Sequence, residues 1–252
     1  MKKKHVLAML LCFVFMSIII GYVKSNNKPD LYIDFEKATL LKSENIIKSK
    51  KSNFDIQGTP DGLAVTNSLS KKGKNSIAFE LDANEARREL KIVDIPNNKT
   101  KYISFSVFFP QSYEIPNNWN LFSQWWQGAP ASPPIAFELE PNSSSFKFRI
   151  VTRDGTVSDF NMRTQYLGLL EKNKWQDFII KIFIDDTGAD NGELVVWQNG
   201  TKIVQYKGKL GYTDLKDKVN FRIGLYRSKN INTMAKAYYD EVKVGNTFEQ
   251  VK

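Results

Sequence analysis

The stretch Phe221–Tyr226, with the sequence Phe-Arg-Ile-Gly-Leu-Tyr, has an apolar residue at every second position. In a β-strand successive side chains point to opposite faces, so the three apolar side chains share one face while Arg222 and Tyr226 share the other. The same period of two runs through Phe146–Val151, where two basic residues alternate with apolar ones. Both stretches therefore predict strands that bury one face and expose the other.

Similar stretches recur along the chain, rich in Val, Ile, Phe, Tyr and Trp and separated by Gly, Pro, Asn and Asp. The pair Asn199-Gly200, between two apolar runs, is a strong signal for a two-residue hairpin turn. Helical periodicity is absent, except for a short turn expected near Tyr166–Leu170. About a dozen short strands predict an all-β fold, a concanavalin-like jelly-roll β-sandwich of two antiparallel sheets, with residues 31–252 as a single domain.

The N-terminal segment, residues 1–25, has a basic start followed by an apolar run from Val6 to Val23. This pattern predicts a signal peptide, with residues 26–30 as a polar tether, and hence a secreted or periplasmic protein. An uncleaved membrane anchor formed by residues 6–23 is the alternative. The segment contains four lysines and no acidic residue, so its removal lowers the formal charge from +9 to +5. A basic exported protein suits an anionic partner.

The only histidine, His5, and the only cysteine, Cys12, both lie in this N-terminal segment. The rest of the chain has neither imidazole nor thiol, which excludes a Ser-His-Asp triad, a cysteine nucleophile, zinc held by His or Cys, and a disulfide. Catalysis would have to use Tyr, Lys, Arg, carboxylates or amides. Any metal would have oxygen ligands, and calcium is the first candidate.

Alternation also places a set of polar, basic and aromatic side chains on the outward faces of several strands. This set comprises Arg87, Gln124, Trp126, Lys147, Arg149, Arg222 and Tyr226. It is interpreted either as a basic groove for an anionic chain or as an ordinary solvated sheet face. Glu138 and Glu140 share a strand face, which leaves the paired carboxylates of a glycoside hydrolase as a further alternative.

Three motifs, Arg87–Leu90, Gln124–Trp126 and Arg222–Arg227, follow one another along the chain. They resemble the R-x-E-L, Q-x-H and K/R-x-G-x-Y strands of jelly-roll polysaccharide lyases, in particular the heparin lyase I and glucuronan lyase group. The resemblance extends from about Leu31 to Val244. One position departs from it, because Trp126 stands where the family has His. The chain is therefore either a lyase that works without imidazole or a noncatalytic glycan-binding protein of the same fold.

The resemblance implies a reaction and roles for the residues that match. The lyases cleave a uronate-containing polysaccharide by β-elimination. Arg87 and Gln124 would neutralise the uronate carboxylate, and Tyr226 would act as base and acid. Arg87, from a neighbouring strand, is expected to favour the phenolate of Tyr226. The expected substrate contacts are Trp126, Lys147, Arg149, Arg222 and Arg227.

The missing imidazole also bears on the choice of uronate. One tyrosine can serve as both base and acid when the departing proton and the leaving group lie on the same side of the sugar ring. That is the arrangement in D-glucuronate and D-mannuronate. Guluronate and iduronate require elimination from opposite sides, with a separate base that is usually His. The sequence therefore favours D-glucuronate or D-mannuronate polymers.

No cofactor is expected for catalysis. The resemblance implies a structural calcium ion where the first and last strands meet, and by position Glu36 and Asp240 are its candidate ligands; ordinary surface acids are the alternative. The expected partner is an anionic polysaccharide. Neither nucleic acid nor a protein partner is expected, and the protein is expected to be a monomer.

Overall fold

The computed structural model of the 252-residue chain describes residues 27–49, 52–215 and 218–252. The predicted signal peptide or anchor, and Asn26 of the predicted tether, lie outside the described residues. Within the part that is described, no helix has both the length and the apolar character needed to cross a bilayer.

Eighteen strands and two short helices make up the described part of the chain. In chain order the strands are β1 (Leu31–Ile33), β2 (Thr39–Leu41), β3 (Ile46–Lys48), β4 (Asn53–Gly58), β5 (Leu63–Thr66), β6 (Ser76–Leu81), β7 (Arg87–Pro96), β8 (Lys101–Phe108), β9 (Asn120–Trp126), β10 (Ile135–Leu139), β11 (Lys147–Gly155), β12 (Phe160–Leu169), β13 (Trp175–Phe183), β14 (Gly192–Gln198), β15 (Thr201–Gly208), β16 (Gly211–Tyr212), β17 (Lys218–Arg227) and β18 (Ala235–Gly245). The helices are a 3₁₀ turn (Lys42–Glu44) and α1 (Phe248–Val251).

The strands form two large sheets, which confirms the predicted all-β sandwich. An eight-stranded sheet has the order β15-β14-β13-β8-β18-β6-β5, with β1 also paired to β18. A ten-stranded sheet has the order β12-β11-β10-β9-β17-β7-β4-β3-β2, with β16 also paired to β11. The β11–β16 pair is parallel, whereas the pairs that build the centre of each sheet are antiparallel. The three strands that carry the predicted site, β9, β17 and β7, are therefore neighbours.

An aromatic core joins the two sheets. Phe105 on β8 lies 6.3 Å from Phe137 on β10 and 6.0 Å from Phe221 on β17, measured between ring centroids. Phe178 on β13 lies 5.5 Å from Phe137, and Trp125 on β9 stacks on Phe221 at 5.0 Å. Because these side chains point inward, the alternate residues of β9 and β17 point to the other face of the ten-stranded sheet.

The prediction of a helical turn near Tyr166–Leu170 is wrong. Residues 166–169 belong to the ten-residue edge strand β12, and Tyr166 pairs with Ile150 of β11. The ring of Tyr166 also packs 5.4 Å from that of Phe148. Pairing along the length of β11 determines this conformation, and local periodicity does not reveal such a tertiary contact.

Gly224 brings β17 close to β7 beside the predicted site. It pairs with Glu89 across the two strands, and its φ of +126° lies in a region that side-chain-bearing residues rarely adopt. A Cβ at this position would lie 2.8 Å from the Cα of Glu89 and closer still to the carbonyl oxygen of Arg88. Both the positive φ and the lack of room for a Cβ therefore require glycine at this position of the motif.

We predict that Gly224→Ala lowers the free energy of unfolding by about 1–3 kcal/mol, because a strained φ is combined with a backbone clash. The matched control is Gly200→Ala, since Gly200 also has a positive φ, +81°, but nothing lies within 4 Å of the added Cβ. Thermal unfolding of both variants measures the difference. A loss of stability at Gly224 no larger than at Gly200 would contradict the prediction.

Candidate active site

A cleft of about 510 Å³ lies on the face of the ten-stranded sheet that points away from the core. Its lining includes Arg87, Gln124 and Tyr226, the three residues predicted to be catalytic. Trp126 and Arg149, two of the predicted substrate contacts, line it as well. Side chains from β7, β9, β11 and β17 therefore meet in one cavity of a size suited to small sugars.

Tyr226 and Arg87 lie directly opposite each other on β17 and β7. The guanidinium carbon of Arg87 is 3.6 Å from the centroid of the Tyr226 ring, a cation–π contact. Trp119 approaches the same ring edge-on, with centroids 4.9 Å apart and planes inclined by 78°. Trp119 lines the cleft and is 39% exposed. Tyr226 is thus held between a cation and an aromatic ring in the cavity lining.

A buried carboxylate, Glu89, lies beneath these residues. It is 1% exposed, and its Oε1 accepts a hydrogen bond from the amide nitrogen of Gln124. Its Oε2 is 3.3 Å from Nε of Arg87 and 4.0 Å from Nη1 of Arg222. Burial raises the pKa of Glu89, while Gln124 and the two arginines oppose the rise. Sequence reasoning missed Glu89, although alternation puts it on the same face as Arg87.

Trp126 lines the cleft, but its polar atom is already engaged. The indole Nε1 donates a hydrogen bond of 3.0 Å to the carbonyl oxygen of Ala131, which fixes the ring against the 129–133 loop. An indole has only a donor and no basic lone pair. Trp126 therefore brings no acid–base group to the cleft.

Arg222, a predicted substrate contact, is not among the residues that line the cleft. It is 4% exposed, and its guanidinium carbon lies 4.5 Å from the centroid of the Trp126 ring. Nη2 donates to Asn220 at 3.2 Å. Burial lowers the pKa of Arg222, and the nearby Glu89 carboxylate opposes this effect. Arg222 therefore contacts Trp126 and Glu89, which connect it to the cleft.

A second buried carboxylate, Glu138, lies at the β10–β11 side of the cleft. Arg149 contacts its Oε2 through Nε and Nη2, both at 2.8 Å, and Nη2 of Arg153 lies 3.4 Å from Oε1. Glu140 pairs with Arg149 at 3.6 Å. Arg153 also lines the cleft, a contact that sequence reasoning missed. Because both acids are held in ion pairs with arginines, the arrangement does not favour a glycosidase pair.

The remaining predicted substrate contacts lie elsewhere. Lys147, at the start of β11, does not line the cleft. Arg227 is 2% exposed and donates to the carbonyl oxygens of Glu85 and Asp82, at 2.9 and 2.8 Å. Arg227 is not among the residues that line the cleft, because it follows Tyr226 in the strand and points to the opposite face.

The residues proposed for calcium do not fit the ion. Oε1 of Glu36 accepts hydrogen bonds from the backbone N–H groups of Lys74 and Asn75. Oδ2 of Asp240 accepts from those of Lys71 and Lys72. Burial raises the pKa of Asp240 to about 6. N–H groups present positive dipoles, whereas calcium requires six to eight oxygen ligands, and no cluster of three or more metal-binding side chains occurs among the described residues. Both carboxylates instead fasten the 71–75 loop.

We predict that the melting temperature is the same in excess calcium and in excess chelator. A bound ion at 100 times its Kd would add about 2.7 kcal/mol, or about 5–10 °C for a chain of this size. Differential scanning calorimetry of the full chain in both conditions makes the comparison. A calcium-dependent rise of several degrees would show that an ion binds after all.

The chain is similar to known proteins in both sequence and structure. The sequence matches the polysaccharide lyase family over residues 43–243, and none of the curated proteins matches it. The endo-β-1,4-glucuronan lyase of the fungus Trichoderma reesei superposes with a TM-score of 0.64 at 16% identity, over 89% of this chain and 98% of that one. Alginate lyase vAL-1 from a Chlorella virus has a TM-score of 0.54 at 14% identity, over 77% and 93%. The cellulose-induced protein Cip1 has a TM-score of 0.56 at 13% identity, over 86% and 98%. At these identities the structural likeness shows a shared fold.

Proposed function

The chain belongs to the polysaccharide lyase family, and we propose that it cleaves a uronate-containing polysaccharide by β-elimination at D-glucuronate or D-mannuronate. One observation carries the proposal. Arg87, Gln124 and Tyr226, from three adjacent strands, line a single cleft, and the guanidinium of Arg87 lies on the ring of Tyr226. The fold is shared with a glucuronan lyase and with an alginate lyase, which is consistent with a uronate substrate.

The proposed reaction begins at C5 of the uronate that is cleaved. The Tyr226 phenolate takes the C5 proton, and the electron pair of that bond delocalises into the carboxylate. Arg87 and Gln124 stabilise the charge that gathers there, since a guanidinium and an amide N–H both donate to carboxylate oxygens. The C4–O4 bond then breaks, a C4–C5 double bond forms, and Tyr226 returns the proton to O4. The phenolate is regenerated and no co-reactant is consumed.

The shortage of alternative bases supports this role for Tyr226. The only histidine in the chain is His5, Trp126 has no basic atom, and Glu138 is held by Arg149 and Arg153. A single phenol can remove a proton and protonate a leaving group only if both lie on its side of the sugar. D-glucuronate and D-mannuronate meet that condition, whereas guluronate and iduronate do not.

A noncatalytic glycan-binding role is the second candidate function. The replacement of the family's His by Trp126, whose N–H is bonded to Ala131, favours it. In that case the cleft would hold a uronate without turning it over.

The basic start and apolar run of residues 1–25 support export in either case, with an anchor formed by residues 6–23 as the alternative.

We predict that Tyr226→Phe lowers the rate of product formation by about 10²–10⁴-fold, as expected for loss of a general acid–base group. The measurement is the near-ultraviolet absorbance of the unsaturated product, with a uronate polymer as substrate. Tyr102→Phe, on the eight-stranded sheet, is the matched control and should retain activity. Full activity in the Tyr226 variant would remove the phenol from the mechanism. Binding without any rise in absorbance for the unmodified protein would favour the glycan-binding role.

A second prediction concerns substrate stereochemistry. Polyglucuronate or polymannuronate should give unsaturated product, and polyguluronate should not, because the latter requires a base on the opposite side of the ring. Parallel digests of the three polymers, matched in uronate concentration, make the test. Turnover of polyguluronate alone would contradict the single-tyrosine mechanism.

A further inference from the structure

Glu89 contacts both Arg87 and Gln124, the two residues proposed to bind the uronate carboxylate. Gln124 donates to its Oε1, and Arg87 lies 3.3 Å from its Oε2. The buried Arg222 lies 4.0 Å from that same oxygen. Glu89 is 1% exposed and is not among the residues that line the cleft. It therefore lies outside the cleft lining, but it contacts the residues that are proposed to bind the substrate.

Burial of such a carboxylate costs free energy, which other interactions must offset. Removal of a carboxylate from water is unfavourable unless opposite charges and hydrogen bonds replace the solvent. Here the amide of Gln124 supplies a hydrogen bond, and Arg87 and Arg222 supply charge. Oε2 itself has no aligned hydrogen-bond partner among the described residues. The interaction of Oε2 with the two guanidinium groups is therefore mainly Coulombic. The Glu89 carboxylate attracts Arg87 without engaging all the N–H donors of that arginine.

We propose that Glu89 is a positioning residue, an internal counter-ion that holds Arg87 over the Tyr226 ring and orients the Gln124 amide toward the uronate. This inference rests on the proposed lyase function and extends it to a residue below the cleft. Because Glu89 pulls Arg87 from one side and Tyr226 contacts its face at 3.6 Å, the guanidinium is fixed between the two before substrate binds. Preorganised donors of this kind stabilise developing charge effectively.

The proposal has a consequence for affinity that separates it from a purely structural role. With Glu89 ionised, the two arginines and one carboxylate carry a net charge of +1. Without that negative charge the cluster attracts an anionic sugar more strongly, but Arg87 and Gln124 are no longer fixed. Loss of the charge should therefore tighten binding while slowing the reaction, whereas a variant that merely disturbs the fold would weaken both.

The test compares Glu89→Gln and Glu89→Asp with the unmodified chain on a uronate polymer. Glu89→Gln keeps the shape and an acceptor for Gln124, so kcat should fall by about 10–100-fold while KM falls several-fold. Glu89→Asp keeps the charge but withdraws it by one methylene, so kcat should fall without any decrease in KM. Glu80→Gln is the matched control, because Glu80 pairs with Lys236 on the other sheet, 2.8 Å away. Its kinetics should not change.

Any other pattern overturns the proposal. Unchanged kcat and KM in Glu89→Gln would make Glu89 a bystander, and a raised KM in that variant would reduce it to a structural role. Binding of a uronate oligosaccharide, measured by calorimetry on the Tyr226→Phe background, must also tighten several-fold on Glu89→Gln. If the unmodified chain gives no unsaturated product on any polymer, the lyase function fails; if it does and Glu89→Gln behaves normally, only this inference fails.

Discussion

The site depends on one interstrand register, which places Tyr226 of β17 directly opposite Arg87 of β7. Two residues along the same pair, Gly224 lies opposite Glu89, and the absence of a side chain there lets the two backbones approach closely. A shift of one residue would turn the phenol and the guanidinium to different faces of the sheet. The aromatic core opposes such a shift because Phe221, on the same strand, is packed between the sheets.

Charge in the cleft is organised as two similar units, each a buried carboxylate between two arginines. Glu89 lies between Arg87 and Arg222, and Glu138 between Arg149 and Arg153. In each unit one arginine is more exposed than the other: the side chain of Arg87 is 33% exposed against 5% for its buried counterpart. The carboxylate thus keeps one guanidinium at the surface and partly neutralises the pair. A cleft built in this way attracts an anion without concentrating unpaired positive charge.

Sequence periodicity predicted the face on which a side chain lies, but not its depth or its neighbours. Alternation alone put Tyr226, Arg87 and Gln124 on outward faces, and the resemblance to a lyase family, rather than periodicity, implied that their strands lie together. Arg222 shares that face, yet an indole ring from β9 covers it, and no pattern within β17 could indicate this. Arg227 follows the opposite parity and is buried. The contacts of loop N–H groups with acidic side chains were equally unpredictable, since they depend on tertiary packing.

The central claim is that a guanidinium, an amide and a phenol act on one sugar acid. A crystal structure of the Tyr226→Phe variant with a bound glucuronate oligosaccharide would test it most directly. The account predicts one uronate carboxylate within about 3 Å of both Arg87 and Gln124, with C5 of that sugar facing the ring at position 226. An oligosaccharide held by Arg149 and Arg153, with no carboxylate at Arg87, would contradict it.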